Sequence, residues 1–291
     1  MLSALVVGGD GLIGRALTLQ LAASGWMVVS TTRRTTAASR QVNFDLAQGV
    51  STLSGPGTAV PAGGLVVFIC AAVTGFAQCA NDPEGSHHTN VTCTVELGRH
   101  FMQQGAMVVY LSSNAVFDGA HAYLDETAAR LPVTEYGRQK AECEKGLMEA
   151  ASSLPGDCAV VRLTKVVDRG QALYRGWVES FNKASPAKAA ADLVMSPVTT
   201  DYVVKGLQRI GRNAQGGIFH LSGERDLTYF ELAQAMANNV CPGALIEQDW
   251  VRQRLDTVPA PTFSALSMAG TTIACGLKPQ PLAAVARELI G

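Results

Sequence analysis

The segment Gly8-Gly9-Asp10-Gly11-Leu12-Ile13-Gly14 constrains the fold more than any other stretch, because it follows a short apolar run and opens an amphipathic one. It satisfies both GxxGxxG and GxGxxG. Glycines at such a junction permit a tight strand-to-helix turn, let strand and helix pack closely, and leave helix N-terminal N–H groups able to receive a pyrophosphate. The position at the first strand–helix junction favours dinucleotide binding over an ordinary glycine-rich turn. Ile13, Leu17 and Leu21 then recur every fourth residue, an apolar stripe to lay on a sheet.

The rest of the first half repeats this rhythm. Strands are predicted at Ala4–Val7, Met27–Thr31, Leu65–Cys70, Met107–Leu111 and Ala159–Leu163, with helices near Leu12–Ser24, Pro83–Gln104 and Glu135–Ser153. Alternation of this kind predicts an α/β fold, a doubly wound parallel sheet of Rossmann type. After Arg162 the pattern changes. A segment richer in Arg, Lys, Trp and Pro runs to about Val198, followed by helices near Thr200–Arg212, Thr228–Asn239 and Leu282–Ile290 and a strand at Gly217–Leu221. We expect a nucleotide-binding domain over 1–164 and a smaller α+β substrate-binding lobe over 165–291, with about 199–222 packing back on the sheet. A Gly/Ser/Pro loop is expected over Gly49–Gly64.

Composition excludes several classes. With 23 Lys plus Arg against 24 Asp plus Glu, a net charge of -1, the chain has no global excess for gripping nucleic acid or an anionic membrane. Leu46 to Asn81 carries no charge, but its apolar run, Leu65–Val73, is half the ~18 residues a membrane span needs. No signal-peptide pattern opens the chain. Seven cysteines, odd in number and never spaced CxxC, indicate neither a disulfide framework nor a zinc cluster, and a reducing cytoplasm is the expected location. His87-His88 lacks ligand partners at metal spacing, so no metal is expected.

The second strand ends Ser30-Thr31-Thr32-Arg33-Arg34. An acid here would hold the adenosine ribose of NAD; two guanidiniums suit a ribose 2′-phosphate instead. NADPH is therefore the expected cofactor, with NADH the alternative. Lys165, Arg169 and Arg175 with Trp177 are candidates for holding a diphosphate and a base.

Tyr136-Gly137-Arg138-Gln139-Lys140 places a YxxxK pair at the start of a predicted helix. At ~100° per residue, Tyr136, Lys140, Cys143, Leu147, Ala151 and Leu154 share one face, with Arg138, Glu142, Lys145 and Glu149 opposite. Lys140 thus lies on the stripe the helix should bury, where an ammonium needs partners. An ammonium one turn from a tyrosine stabilises the phenolate and brings the phenol toward working pH. Ser112 and Ser113 follow a predicted strand, at the edge where such sheets bind ligands, and either hydroxyl there is able to polarise a carbonyl.

These residues resemble the extended short-chain dehydrogenase/reductase superfamily, and within it the dTDP-4-dehydrorhamnose reductase-like nucleotide-sugar reductases. The specific pieces are SSNAVFDG, YGRQKAECEK, SPVTTDYV and GGIFHLSG. The resemblance implies that Ser113 is the catalytic hydroxyl, Tyr136 the proton donor, and Lys140 the residue that tunes the tyrosine and holds the nicotinamide ribose. It also implies an adenine-side contact at Asp45-Leu46, a backbone shelf at Ala71-Ala72 and a supporting asparagine at Asn90. The cofactor-binding set is then Gly8, Gly11, Leu12, Ile13, Gly14, Arg33, Arg34, Asp45, Leu46, Ala71, Ala72 and Asn90, with Tyr136 and Lys140. One departure matters: Asn114-Ala115 stands where many rhamnose-type reductases carry Asp-Tyr, which leaves the sugar open.

The expected activity is NADPH-dependent reduction of a keto group on a nucleotide-activated sugar. An epimerase that retains its cofactor is the alternative within the enzyme class. A dinucleotide-binding regulatory subunit, similar to the β subunit of methionine adenosyltransferase, is the alternative outside it. The expected partner is the nucleotide sugar, with neither nucleic acid nor membrane, and a homodimer is compatible with the reading.

Overall fold

Aliphatic runs buried on both faces form the centre of the sheet in the computed structural model, which describes residues 2–34, 39–55, 58, 64–252 and 261–291. In chain order the elements are β1 (Ser3–Val7), α1 (Leu12–Ala23), β2 (Met27–Thr32), β3 (Gln41–Asn43), β4 (Leu65–Ile69), α2 (Phe76–Asn81), α3 (Pro83–His87), α4 (Thr94–Gln103), β5 (Met107–Ser113), α5 (Glu135–Ala151) and β6 (Asp157–Leu163). There follow β7 (Lys165–Val167), α6 (Ala172–Asn182), β8 (Ala187–Ala190), β9 (Val194–Met195), β10 (Pro197–Thr199), α7 (Thr200–Asn213), β11 (Gly217–Leu221), β12 (Leu227–Thr228), α8 (Tyr229–Val240), β13 (Ile246–Asp249), α9 (Ala269–Cys275) and α10 (Leu282–Ile290).

The chain divides into two compact units: residues 1–117, 129–162 and 203–219 form one, and 118–128, 163–202 and 220–291 the other. The first holds a seven-stranded parallel sheet in the order β11-β6-β5-β4-β1-β2-β3. Every residue of β1 and β4 is buried, as expected of strands covered by helices on both faces. The crossovers run one way from β1 to β3 and the other way from β4 to β6. The carboxyl ends of β1 and β4, paired with Val7 opposite Ile69, therefore mark the topological switch point, where open α/β sheets bind ligands.

The helix expected over Pro83–Gln104 is helical throughout but not uniform. Residues His88–Cys93 between α3 and α4 are π-helical, a wide turn often found at functional sites. The short α2 was not expected. It stops because Pro83 cannot donate a backbone hydrogen bond and Asp82 caps the next helix, accepting from Gly85 N at 3.0 Å. The loop expected over Gly49–Gly64 lies partly outside the described residues; its opening forms 3-10 turns at Leu46–Gln48 and Val50–Thr52.

The second unit carries three two-stranded pairings, β7 with β10, β9 with β12 and β8 with β13. Its core is built on Tyr174, Trp177, Phe181, Leu232, Met236 and Leu289. Trp177 is buried there, and its indole N–H donates to Lys188 O at 2.8 Å. This corrects its expected role as a platform for a base: the aromatic ring is committed to packing, while Lys165, Arg169 and Arg175 are exposed. Among the described residues no helix is long and apolar enough to cross a membrane.

α5 starts where Thr134 Oγ1 accepts from Gly137 N at 3.0 Å, with Glu135 in the first turn to complement the helix dipole. Cys143 and Leu147 drive its inner face into the core formed with Val67, Val108, Val160, Leu97 and Phe101. Leu147 is fully buried, so Leu147→Ala is expected to lower the unfolding free energy by about 2–5 kcal/mol. Chemical denaturation should show the loss as a lower midpoint, with the folded far-ultraviolet dichroism unchanged.

Candidate functional site

The glycine turn forms the first half of the site. Gly8 adopts φ +90, and a Cβ there would stand 2.8 Å from Ala71 N, so the chain leaving β1 lies directly against the chain leaving β4. A Cβ on Gly14 would collide with the Gly8 carbonyl, which is why the start of α1 sits so close beneath the turn. Gly8 N donates to Thr31 Oγ1 at 2.9 Å and Gly9 N to Thr31 O at 3.0 Å, fixing the turn against β2.

Gly11 is the N-cap of α1 and supplies no side-chain cap; the first turn has no acidic residue. Open N–H groups at the end of a 12-residue helix, beside an exposed Gly11 and Leu12 and a half-buried Ile13, fit an anionic diphosphate. The residues present therefore fit a dinucleotide.

Arg33 and Arg34 are both exposed past β2. Arg34 Nε lies 3.8 Å from Asp10 Oδ1 and is 77% exposed, a screened pair that leaves the guanidinium able to exchange partners. Asp10 is held in turn by Thr32 Oγ1, which donates to Oδ2 at 2.6 Å. Asp45 accepts from Ala47 N at 3.2 Å and remains half-buried, whereas the Leu46 side chain is in the core and leaves only its backbone for a ligand. Ala71 and Ala72 are half-buried just beyond β4.

Asn90 is no surface residue. Buried in the π-helical turn, it accepts from Val73 N at 2.8 Å and donates to Val73 O at 2.9 Å and to Gln139 Oε1 at 2.8 Å. The shelf after β4 is thereby fastened to α5. Gln139, between Tyr136 and Lys140 in sequence, also donates to Ser86 Oγ at 2.8 Å and Glu135 Oε1 at 3.0 Å.

The second half of the site lies at the end of β5, which runs two residues further than expected and so includes both serines. Lys140 is 3% exposed; its Nζ donates to Leu111 O at 2.8 Å and stands 4.6 Å from the centre of the Tyr110 ring and 5.7 Å from that of Tyr136. Among the described residues no carboxylate forms an ion pair with it. Burial pulls the ammonium down from 10.5 to about 8, against smaller upward pulls from Cys143 and Glu144. Burial also pushes the Cys70 and Cys143 thiols up to about 12, so both stay neutral near it.

Tyr136 is buried, with the Ser113 side chain close enough to favour its phenolate. Ser113 also accepts from Ala115 N at 3.1 Å, capping the 3-10 turn Asn114–Val116. Gly137 allows this approach, since a Cβ there would collide with Ala115 O. Desolvation holds the Tyr136 phenol above its ordinary range, with the Ser113 side chain pulling the other way. Removal from water outweighs the Ser113 contribution, so the phenol lies above its ordinary range where the sequence led us to expect a lower one.

Sequence reasoning missed Glu144, Ser112 and Arg162 as one unit. Glu144 is fully buried and accepts from Ser112 Oγ at 2.5 Å, Arg162 Nη2 at 2.8 Å and Nε at 3.0 Å, and Arg130 Nη1 at 3.3 Å. The available signal was Arg162, a guanidinium inside an otherwise apolar predicted strand. His87 meets Glu142 at 3.2 Å, and His88 lies 3.2 Å from Ala47 O and 3.4 Å from Cys93 Sγ; no cluster of three or more metal-ligating side chains occurs among the described residues.

Residues 2–290 match the family model for the RmlD substrate binding domain. The chain belongs to this family. Among relatives of this RmlD-family chain, the methionine adenosyltransferase 2 subunit beta of Rattus norvegicus is 26% identical over 245 residues, covering 80% of this chain and 71% of that one. The dTDP-4-dehydrorhamnose reductase of Mycolicibacterium smegmatis is 27% identical over 245 residues, covering 79% and 67%. A solved dTDP-4-dehydrorhamnose reductase from Bacillus anthracis, in complex with NADP, superposes with a TM-score of 0.77 at 17% identity, covering 100% of this chain and 98% of that one. That last likeness is one of fold.

The depressed Lys140 ammonium makes stability depend on pH. Between about pH 8 and about pH 10.5 the unfolded chain holds a proton that the folded protein has released, so this group's contribution to stability rises with pH. Relative to Lys140→Met, wild type should gain on the order of a few kcal/mol across that window, because titrations common to both proteins cancel. Urea denaturation of the two proteins from about pH 7 to about pH 10 measures this, and a constant difference would contradict the assignment.

Proposed function

We propose that this protein is an NADPH-dependent reductase of a keto group on a nucleotide-activated sugar. The observation that carries the reading is the assembly of Ser113, Tyr136 and a buried Lys140 at the carboxyl end of β5, on the same sheet edge as the glycine turn. The likeness to a dTDP-4-dehydrorhamnose reductase in complex with NADP supports it.

When bound, the nicotinamide coenzyme supplies the hydride. The Gly8–Gly14 turn and the open end of α1 would take its diphosphate, Asp45 and the Leu46 backbone would serve its adenine side, and Ala71 and Ala72 would form a backbone shelf near its ribose. Arg33 and Arg34 would take the 2′-phosphate. Asn90 holds the shelf in place through Val73.

Ser113 holds the carbonyl oxygen, and Tyr136, kept neutral by burial, gives that oxygen its phenolic proton. Lys140 keeps a positive charge beside the departing proton, binds the nicotinamide ribose and passes its own loosened proton back to the phenol. Water then restores the lysine.

A second reading, a subunit that binds a dinucleotide and a partner protein without turnover, draws support from the likeness to methionine adenosyltransferase 2 subunit beta. The buried ammonium beside a phenol favours the reductase. An epimerase would use the same residues, but it turns over without net consumption of coenzyme.

Tyr136→Phe is expected to lower turnover by roughly 10²–10⁴ with NADPH affinity nearly unchanged. Stoichiometric loss of nicotinamide absorbance across a panel of keto-sugar nucleotides, beginning with dTDP-4-dehydrorhamnose, checks this. NADPH binding without oxidation of any panel member would favour the subunit reading instead. Replacing Arg33 and Arg34 by Ala should weaken NADPH binding at least about tenfold while changing NADH binding little, as loss of charge-assisted hydrogen bonds to a phosphate requires. Fluorescence titration with the two coenzymes reads the difference.

A further inference from the structure

Three consecutive residues at the end of β5 meet three residues of α5 spaced one turn apart. Leu111 O accepts from Lys140, Ser112 Oγ donates to Glu144, and Ser113 neighbours the Tyr136 phenol. The outer two contacts belong to the proposed reaction, whereas nothing in that reaction uses the middle one.

Glu144 stands four residues after Lys140, the spacing at which a lysine and a glutamate ordinarily pair along a helix. Here they do not, because the carboxylate is already engaged. Oε1 takes Ser112 and Arg162 Nε, and Oε2 takes Arg162 Nη2 and Arg130 Nη1. Arg162 reaches across from β6, the strand beside β5, and is itself 1% exposed. A well-packed apolar trio would hold a helix on a sheet at least as firmly as a buried ion pair. What a bidentate guanidinium–carboxylate pair adds is a fixed direction.

We infer that Ser112, Glu144 and Arg162 are positioning residues: Ser112 and Arg162 hold the Glu144 carboxylate away from Lys140, set the register of α5 on β5, and so aim the ammonium at Leu111 and Tyr136. The inference rests on the reductase reading for its link to turnover, though not for the geometry of the lysine. Besides Glu144, the groups facing Lys140 are Cys143 on its own helix, Cys70 beyond β4, Cys79 on α2, Tyr110 on β5 and Tyr136. Glu144 already pulls the lysine upward from its diverted position. Removing one donor from Oε1 leaves more of the carboxylate charge to act on the lysine.

Ser112→Ala removes one of the two donors on Oε1 and leaves Arg162 Nε in place, so no unpaired buried charge is created, and Ser112→Thr keeps the hydroxyl. With the coenzyme-free full chain carrying ¹³C-labelled lysine, the Lys140 Cε resonance, assigned by its loss in Lys140→Met, should titrate at higher pH in Ser112→Ala and as wild type in Ser112→Thr. With NADPH and the accepted keto-sugar nucleotide, kcat of Ser112→Ala should fall on the order of 10- to 100-fold with KM little changed, and Ser112→Thr should recover most of it. An unshifted Lys140 titration in Ser112→Ala overturns the inference, as does a loss of kcat that Ser112→Thr does not repair. Tyr136→Phe run in parallel separates the two readings: if it turns over at the wild-type rate, the reductase reading fails, while the lysine titration still decides the positioning role.

Discussion

Lys140 is an ammonium buried without a carboxylate counter-ion among the described residues, and the arrangement around it follows from that cost. Removing a lysine from water costs several kcal/mol unless acceptors replace the lost hydration. Lys140 has one carbonyl, Leu111 O, and the faces of Tyr110 and Tyr136, a set that stabilises a cation without neutralising it. A lysine serving only as packing would extend its stem past its neighbours into solvent. This one ends at the carboxyl edge of a parallel sheet, beside a phenol. Strand β5 must therefore end where its last carbonyls and hydroxyls face α5, and α5 must begin where Gly137 lets the Ser113–Val116 loop approach.

The glycine cradle and the Tyr–Lys helix are tied together through side chains. Asn90 sits in a π-helical turn and spends its amide on both backbone groups of Val73, beyond the shelf at Ala71 and Ala72, and on Gln139 of α5. Its full set of buried partners explains why a residue of poor helix propensity is held inside a helix. The π turn is the local cost of that connection. A displacement of the shelf is in this way felt at the residue lying between Tyr136 and Lys140, and the reverse also holds.

Much of this was legible because it rests on periodicity and on residues with few alternatives. The parallel strands read as apolar runs, and the spacing of Tyr136, Lys140, Cys143 and Leu147 marks the face that α5 buries. Other features were hidden for physical reasons. Glu144 lies among Glu142, Lys145 and Glu149 and reads as surface charge, because its burial is decided by Arg162 on a different element. The strands of the second unit are two to four residues long, too short to show a period. Trp177, beside Arg175, reads as a binding surface until the core of that unit claims it. Spacing also reveals the charge near the Tyr136 phenol but not the depth of burial that opposes it.

A phenol held neutral and an ammonium brought down to about 8 make two adjacent groups that both carry protons at neutral pH, one of them loosely. Delivering a proton to a developing alkoxide requires this state, whereas removing a proton from a hydroxyl requires the phenolate. Burial here favours the protonated phenol. On the proposed reading, Lys140 supports the phenolate once its proton has left rather than creating it beforehand.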